Sequence, residues 1–391
     1  MENRSVEFTE LIPRLPEELG LECLTRLPYA AHRVASGVCR RWRDLIRSRD
    51  FYYHRKQFRY TRKVACLVQA VSGGSKESDG RKLVCGSPSY GLTVFDPVGG
   101  VWDRIDLVDE YPNGLPLFCQ LAGCEGKLVV MGGWDPVSYD PVTGVFVFDF
   151  ALGRWTRGKD MPAKMSFFAV GSYADRVYVA GGHDENKNAL RTGWVYDLTQ
   201  DDWTELPRMS RERDECEGAV IGEEFWVVSG YGTDNQGSFD GSADVYNFIS
   251  GQWRRVERVW EPGRCPRSNV VVDRDGKLTS WSGLDPSVKV GTCGLTLGDG
   301  RVFVTGSEYQ GAPNGFYVGE MVIKEDEKVK LDKIQVGDGF SGNGVVVRSG
   351  DEQQHRSRRW WRGIGVGEED TERDGGAELG PTSGLLGGTQ G

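Results

Sequence analysis

The stretch RVYVAGGHDENKNALRTGWVYDLTQDDW, residues 176–203, contains two predicted strands and the start of a third. RVYVAGG is an apolar run that ends at a glycine pair, and GWVYDLT alternates before polar turn residues. The pattern recurs in residues 127–155 and 224–253 and, in part, in residues 92–102. In each copy an aromatic residue stands seven positions before a tryptophan: Phe95/Trp102, Phe148/Trp155, Tyr196/Trp203 and Tyr246/Trp253. A spacing of about 50 residues between copies is typical of β-propeller repeats.

This recurrence resembles the kelch repeat. The resemblance implies blades of four strands, labelled A to D outward from the axis, which stack because a single blade cannot bury both of its faces. We expect the glycine pairs to adopt positive φ or to allow close backbone approach. The paired aromatic and tryptophan side chains are expected to fill the wedge between neighbouring blades. A β-sandwich with chance aromatics is the alternative interpretation.

The repeats also predict how the chain is divided. Three copies predict complete blades, whereas the first blade has three strands and is expected to receive its inner strand from residues 341–348. Two later blades lack the aromatic–tryptophan pair. The predicted fold is an all-β kelch β-propeller of six blades, with five or seven left open, joined to a small all-α N-terminal domain. The boundaries are an N-terminal segment (1–9), the helical domain (10–57), the propeller (58–348) and a charged, glycine-rich tail (349–391) expected to be disordered.

Residues 10–57 have helical periodicity and end in the pattern V-C-x-x-W-R-x-L. Fewer than fifty residues bury little core, so their apolar positions predict a partner surface. The segment resembles the F-box, which implies docking on a Skp1-type adaptor and, through it, on a cullin ubiquitin ligase. Carried over position by position, the adaptor-binding residues are Leu15, Pro16, Leu24, Leu27, Pro28, Val38, Trp42 and Leu45. A helical cap packed on the propeller is the alternative.

Charge and cysteine content limit the other function classes. The net charge of −9 argues against a general nucleic-acid or anionic-membrane binder. Residues 33–63 are basic, but the arginines interleave with F-box apolar positions, which favours a solvated helix face over nucleic-acid contact or nuclear import. The nine scattered cysteines predict reduced thiols, and no signal peptide or membrane span is recognised. The expected location is therefore cytoplasmic, nuclear or both.

Target recognition is predicted on one face of the propeller. Alternating strand directions place the long B–C loops and D–A connections together, and loops on a rigid scaffold usually carry function. The segment RERDE, residues 211–215, alternates in charge and suits a complementary protein surface, with a blade-to-blade salt bridge as the alternative. Reversing Arg211 and Arg213 to Glu is expected to weaken target capture without unfolding the propeller. The predicted target-binding residues are Trp134, Asp135, His183, Asp184, Glu185, Arg211, Arg213, Asp214, Glu215, Tyr231 and Tyr309.

Enzymatic alternatives find little support in the same loops. A copper oxidase site needs several His and Tyr ligands, and His183 is the one propeller residue among four histidines. A carboxylate site for Ca²⁺ or Fe²⁺ built from Asp184, Glu185 and Asp214 has nothing to fix its geometry. We therefore predict a receptor without catalytic residues, metal or cofactor.

The order of motifs is similar to that of plant kelch F-box proteins over about residues 8–342. The matching segments are LIPRLPEEL, GLPLFCQL, AGGHDENKNAL, RERDEC and TGSEYQGAPNGF. The resemblance implies a substrate receptor that raises the effective concentration of a target beside the ligase. It also implies phenylalanine ammonia-lyase as the target, and hence restraint of phenylpropanoid synthesis. Cytokinin response regulators as targets, or a scaffold without a role in degradation, are the alternatives.

Overall fold

The computed structural model describes residues 10–71, 89–97, 99–267, 269–272, 276–280, 290–298, 301–307, 315–320, 331–334 and 344–347. The predicted segment 1–9, the predicted tail 349–391 and Tyr309 lie outside these described residues. None of the helices in the described ranges is long and apolar enough to cross a membrane.

Residues 10–57 form a helical unit, called the head below. Its helices are α1 (Glu17–Thr25), α2 (Tyr29–Ala35), α3 (Arg40–Ile46) and α4 (Arg49–Gln57). Pro16 and Pro28 precede α1 and α2 at the cap position, where a missing N–H costs no helical hydrogen bond. The Ser48 hydroxyl caps α4 by accepting from the backbone N–H of Phe51 at 3.1 Å. The head has its own small core of Leu11, Leu24, Ala35, Ile46 and Phe51.

The described strands form six antiparallel sheets, called the ring below. Blade 1 contains β1 (Ala65–Val71), β2 (Ser89–Asp96), β3 (Val101–Ile105) and β22 (Gly344–Val347). Blade 2 contains β4 (Gln120–Cys124), β5 (Lys127–Met131), β6 (Val145–Asp149) and β7 (Arg154–Gly158). Blade 3 contains β8 (Ala169–Tyr173), β9 (Arg176–Ala180), β10 (Gly193–Asp197) and β11 (Asp202–Glu205).

The second half of the ring is built in the same way. Blade 4 contains β12 (Glu217–Ile221), β13 (Glu224–Val228), β14 (Ala243–Asn247) and β15 (Gln252–Val256), with a 3-10 turn at Thr233–Asn235. Blade 5 is represented by β16 (Val270–Val272) and β17 (Leu278–Ser280). Blade 6 contains β18 (Val290–Gly298), β19 (Arg301–Ser307), β20 (Gly315–Glu320) and β21 (Leu331–Ile334). Six sheets agree with the predicted blade number.

The inner strands close a circle. Each one contacts the inner strand of the next blade, in the order β4, β8, β12, β16, β18, β22 and back to β4. Strand β22 pairs antiparallel with β1, from Cys66 opposite Val347 to Gln69 opposite Gly344. The predicted closing strand is therefore confirmed over residues 344–347. Closure pairs an edge of blade 1 that would otherwise be open to other chains.

The repeated aromatics lie where the sequence pattern predicts them. All four aromatic–tryptophan pairs face each other across strands C and D, for example Tyr196 opposite Trp203 with ring centroids 4.9 Å apart. The indole N–H of Trp203 donates to the carbonyl oxygen of Lys159, in the connection that follows the preceding blade, at 2.9 Å. Trp155 and Trp253 make the equivalent bonds at 2.7 and 2.6 Å. These tryptophans therefore link neighbouring blades as well as filling the space between them.

The second glycine of each pair allows close backbone approach, as predicted. Gly182 has φ of +79°, and a Cβ atom there would lie 2.3 Å from the carbonyl oxygen of Ser166. This contact belongs to an isolated bridge between Ser166, three residues before the inner strand β8, and His183, which follows the glycine pair. A side chain at this position would separate strands A and B at the face of the ring where target recognition is predicted.

Candidate functional site

The head exposes apolar side chains that its small core leaves uncovered. Leu19, Val34 and Val38 are 53, 76 and 62% exposed. Of the predicted adaptor-binding residues, Pro16, Pro28 and Val38 are exposed, and Leu15, Leu27, Trp42 and Leu45 are half-buried. Several exposed large apolar side chains in one small domain are typical of a surface that a protein partner covers. The head therefore carries a surface suited to protein binding.

Leu24 does not belong to this surface, and its predicted adaptor contact is wrong. It is 2% exposed and packs in the head's core. The Trp42 side chain also points towards the head's core, because its indole N–H donates to the carbonyl oxygen of the core residue Leu11 at 2.6 Å. Helical periodicity identifies an apolar face but does not say which of its members face a partner and which face the neighbouring helices.

Helix α4 joins the head to the ring at the turn between β4 and β5. The Arg49 guanidinium donates to the backbone carbonyl oxygen of Glu125 at 2.8 Å, and Lys56 forms an ion pair with the Glu125 carboxylate. Gly126 has φ of +72°, and a Cβ there would lie 2.5 Å from the ring of Tyr52. This turn connects strands A and B, so the head sits on the face opposite the B–C loops and D–A connections.

The opposite face, called the recognition face below, exposes part of the predicted target-binding set. Arg211 and Glu185 are exposed, and Trp134, Asp135, Asp184 and Glu215 are half-buried. The carboxylate of Asp135 accepts from the backbone N–H groups of residues 137 and 138 in its own loop. These hydrogen bonds, led by the one from residue 138, lower the pKa of Asp135. Its main local role is therefore to shape the loop.

Arg213 is not available to a target, so its predicted role is wrong. The Arg213 and Asp244 side chains are 1% and 0% exposed, and Nε donates to the Asp244 carboxylate at 2.7 Å. The guanidinium also donates to the carbonyl oxygen of Ser229 at 2.8 Å and to the hydroxyl of Ser242 at 2.8 Å. These hydrogen bonds hold the segment that leads from blade 3 into β12 against blade 4. Replacing Arg213 by Glu would bury two carboxylates together, so we now expect the double reversal to destabilise the ring.

Three other predicted contacts are structural as well. His183 and Asp214 are buried, and Nδ1 of His183 lies 2.9 Å from a carboxylate oxygen of Asp214. Tyr231 is 7% exposed, stacks edge-on against Phe239 and exchanges backbone hydrogen bonds with Asp214. Burial, with the nearby Asp214 charge, raises the pKa of Tyr231. The predicted target contacts of these three residues are therefore wrong. Their side chains and backbone groups instead hold the segment before β12 against the loops that follow β9 and β13.

Three aromatic side chains form a group on the recognition face, next to the inner strands. The sequence predicts only one of them, Trp134, as a target contact. The group consists of Phe118, Trp134 and Phe167 and is called the mouth cluster below. Phe118 and Phe167 lie two residues before the inner strands β4 and β8, with ring centroids 5.2 Å apart. Trp134 lies 5.5 Å from Phe118. The guanidinium carbon of Arg267 lies 4.5 Å from the centre of the Phe167 ring.

The sequence held a signal for two members of this cluster. Phe118, Phe167 and Glu215 occupy the same position relative to their inner strands, and all three have positive φ, of 58°, 57° and 49°. Aligning the D–A connections by the start of each inner strand would have singled out this repeated position. Alignment on the glycine pairs and tryptophans alone leaves it inside an irregular loop.

Metal-binding groups and cysteine thiols are the remaining candidates for chemistry in the described residues. Across the described ranges, no group of three or more His, Cys, Asp or Glu side chains is arranged to hold a metal ion. Seven of the cysteines in those ranges, among them Cys66 and Cys119, are free thiols. Burial raises the pKa of both Cys66 and Cys119 to about 12, so these two thiols stay protonated at neutral pH.

Comparison with known proteins agrees with both parts of the architecture. The family model for the F-box domain matches residues 12–54, and that for the Kelch motif matches residues 118–162 and 164–210. The fold and its exposed surfaces thus define a protein with an F-box head and a kelch propeller. Such a combination implies the substrate-recognition subunit of a Skp1–cullin–F-box ubiquitin ligase, a class that is generally non-catalytic.

Two relatives from Arabidopsis thaliana show the family. The F-box/kelch-repeat protein At2g44130 is 36% identical over 302 residues, which cover 72% of this chain and 73% of the relative. The F-box/kelch-repeat protein SKIP20 is 39% identical over 297 residues, which cover 67% and 70%. The chain belongs to the plant F-box/kelch-repeat protein family.

Proposed function

We propose that this protein captures phenylalanine ammonia-lyase for ubiquitination and proteasomal degradation, and so restrains phenylpropanoid synthesis in the cytoplasm, the nucleus or both. The observation that carries the receptor function is the arrangement of two binding surfaces. The head, which exposes apolar residues, contacts the ring at the turn between β4 and β5, and the recognition face lies at the opposite ends of these strands. A receptor needs this separation, because adaptor and target must bind at the same time. The choice of target is supported by the resemblance of the motifs to the plant group described above.

Adaptor binding is tested with the full chain and a purified Skp1-type adaptor. The double variant Leu15→Ala/Pro16→Ala and the single variant Val38→Asp are expected to lose the complex in a pull-down. Ile249→Ala is the matched control, because Ile249 is 74% exposed but lies on a turn of the ring between β14 and β15. Retained binding in both head variants would contradict the proposal.

Target choice is tested separately in plant cells. Overexpression of the protein is expected to shorten the half-life of phenylalanine ammonia-lyase, and proteasome inhibition is expected to restore it. A half-life of the lyase that does not change, together with shortened half-lives of cytokinin response regulators, would assign the receptor to the other target class. If the protein binds a target but proteasome inhibition does not change the half-life of that target, the protein acts as a scaffold.

A further inference from the structure

The mouth cluster holds two phenylalanines in a backbone conformation that phenylalanine disfavours. Phe118 and Phe167 have φ of 58° and 57°, in the left-handed region where bulky residues are outliers. Phe118 is nevertheless 49% exposed, so burial of its ring does not offset the conformational cost. Such outliers concentrate at ligand-binding sites, where the surrounding structure holds them in place.

The mouth cluster offers a ligand the apolar surface of its rings, because its one polar side-chain atom already has a hydrogen-bond partner. Phe118, Trp134 and Phe167 lie with centroids between 5.2 and 6.4 Å apart, so they form one continuous platform. The indole N–H of Trp134 is already bonded to the Ser166 hydroxyl at 2.8 Å. A side chain that binds here therefore gains contact with apolar rings, which favours an aromatic or large aliphatic residue.

Apolar exposure continues along the blade 2 loop that begins at Trp134. Val137 is 86% exposed and Tyr139 is 53% exposed. Three of the five most exposed large apolar residues in the described part of the ring, Phe118, Val137 and Tyr139, therefore belong to the blade 2 segments of the recognition face. A run of this length fits an extended peptide segment better than one small molecule.

Arg267 adds a positive charge at the edge of the platform. Its guanidinium carbon lies 4.5 Å from the centre of the Phe167 ring, and within the described ranges no carboxylate comes within ion-pair distance of it. A guanidinium stacked on a ring keeps its N–H groups free at the edge, where they match a carboxylate in two parallel hydrogen bonds. The edge of the platform therefore selects an acidic residue.

We propose that the mouth cluster and Arg267 together bind an extended segment of the target in which an aromatic or large aliphatic residue stands one or two positions from an Asp or Glu. In an extended chain, neighbouring residues advance by about 3.3 Å, so this spacing matches the closeness of the guanidinium to the Phe167 ring. The proposal deepens the receptor function and rests on it for the biological role of the segment.

The probe is a phage-displayed library of random dodecapeptides, selected on the immobilised full chain. We expect enrichment of sequences with an apolar residue one or two positions from an acidic one. A synthetic peptide from the enriched group is then measured by fluorescence anisotropy. The double variant Phe118→Asn/Phe167→Asn should weaken its binding by about tenfold or more. Asparagine is chosen because it tolerates positive φ, so the backbone stays in place.

Charge reversal makes the test sharper. Arg267→Glu should convert the selection from acidic to basic residues beside the apolar one, whereas Ile249→Ala on the opposite face should change nothing. Enrichment of no motif, or of a motif that neither variant affects, would overturn the proposal. Adaptor binding is measured on the same preparations. If peptides bind as expected while the adaptor does not, the receptor function fails and the peptide site stands.

Discussion

Replacing Arg213 by alanine tests the interpretation that a charged residue of the recognition face is structural. The substitution removes every hydrogen bond that the guanidinium makes to Asp244, Ser229 and Ser242, and it leaves the Asp244 carboxylate 0% exposed without its cation. Breaking a buried ion pair from one side costs about 3–5 kcal/mol of unfolding free energy. For a ring of about 290 residues that corresponds to a drop in melting temperature of about 5–8 °C.

The assay is thermal unfolding followed by tryptophan fluorescence, with two further variants for comparison. Arg211→Ala removes a side chain that is 62% exposed and lies 3.4 Å from Asp240, so its expected cost is below about 1 kcal/mol. Arg213→Lys keeps the charge but loses the planar fork that reaches three partners, so its melting temperature should lie between those of Arg213→Ala and the wild type.

Equal melting temperatures of Arg213→Ala and Arg211→Ala would refute a structural role for Arg213. A wild-type melting temperature of Arg213→Ala together with a loss of target binding would do so as well, because that result would place Arg213 at the target surface as the sequence predicted. Arg211→Glu alone is now the appropriate charge reversal on the recognition face, since it leaves the buried pair intact.

Two further predictions concern the head. Gly126→Asn should weaken the contact between the head and the ring, because any side chain at this position meets α4. The measurement is amide hydrogen exchange in α4, which should become faster. Gly222→Asn is the control and should leave exchange unchanged, because this turn glycine also has positive φ but no atom lies within 4 Å of the added Cβ. Burial, reinforced by the Arg55 charge, lowers the pKa of His32 from 6.5 to about 4. The unfolded head therefore binds more protons than the folded head between these values, and its stability should fall as pH drops through that window. His32→Gln should flatten this dependence in circular dichroism at 222 nm, and an unchanged slope would show that another group controls it.

The ring could be predicted from the sequence because its signals are local and repeat at a fixed spacing. The pairing of Tyr196 with Trp203 follows from seven residues of chain that form two strands and a tight turn, so the cross-strand contact is fixed by the turn itself. Closure by residues 344–347 followed from counting strands, since blade 1 lacked one. The head was recognised in the same way, from the spacing of its apolar residues and the V-C-x-x-W-R-x-L ending.

Only the tertiary structure shows which polar and aromatic side chains of the recognition face meet solvent. Arg211 and Arg213 are two residues apart and chemically identical, yet one is exposed and the other is enclosed by a strand more than thirty residues further along the chain. Phe118 and Phe167 meet because adjacent inner strands bring equivalent loop positions together around an axis. Local pattern fixes the strands and their pairing, whereas burial depends on groups distant in sequence, and only the closed ring brings those groups together.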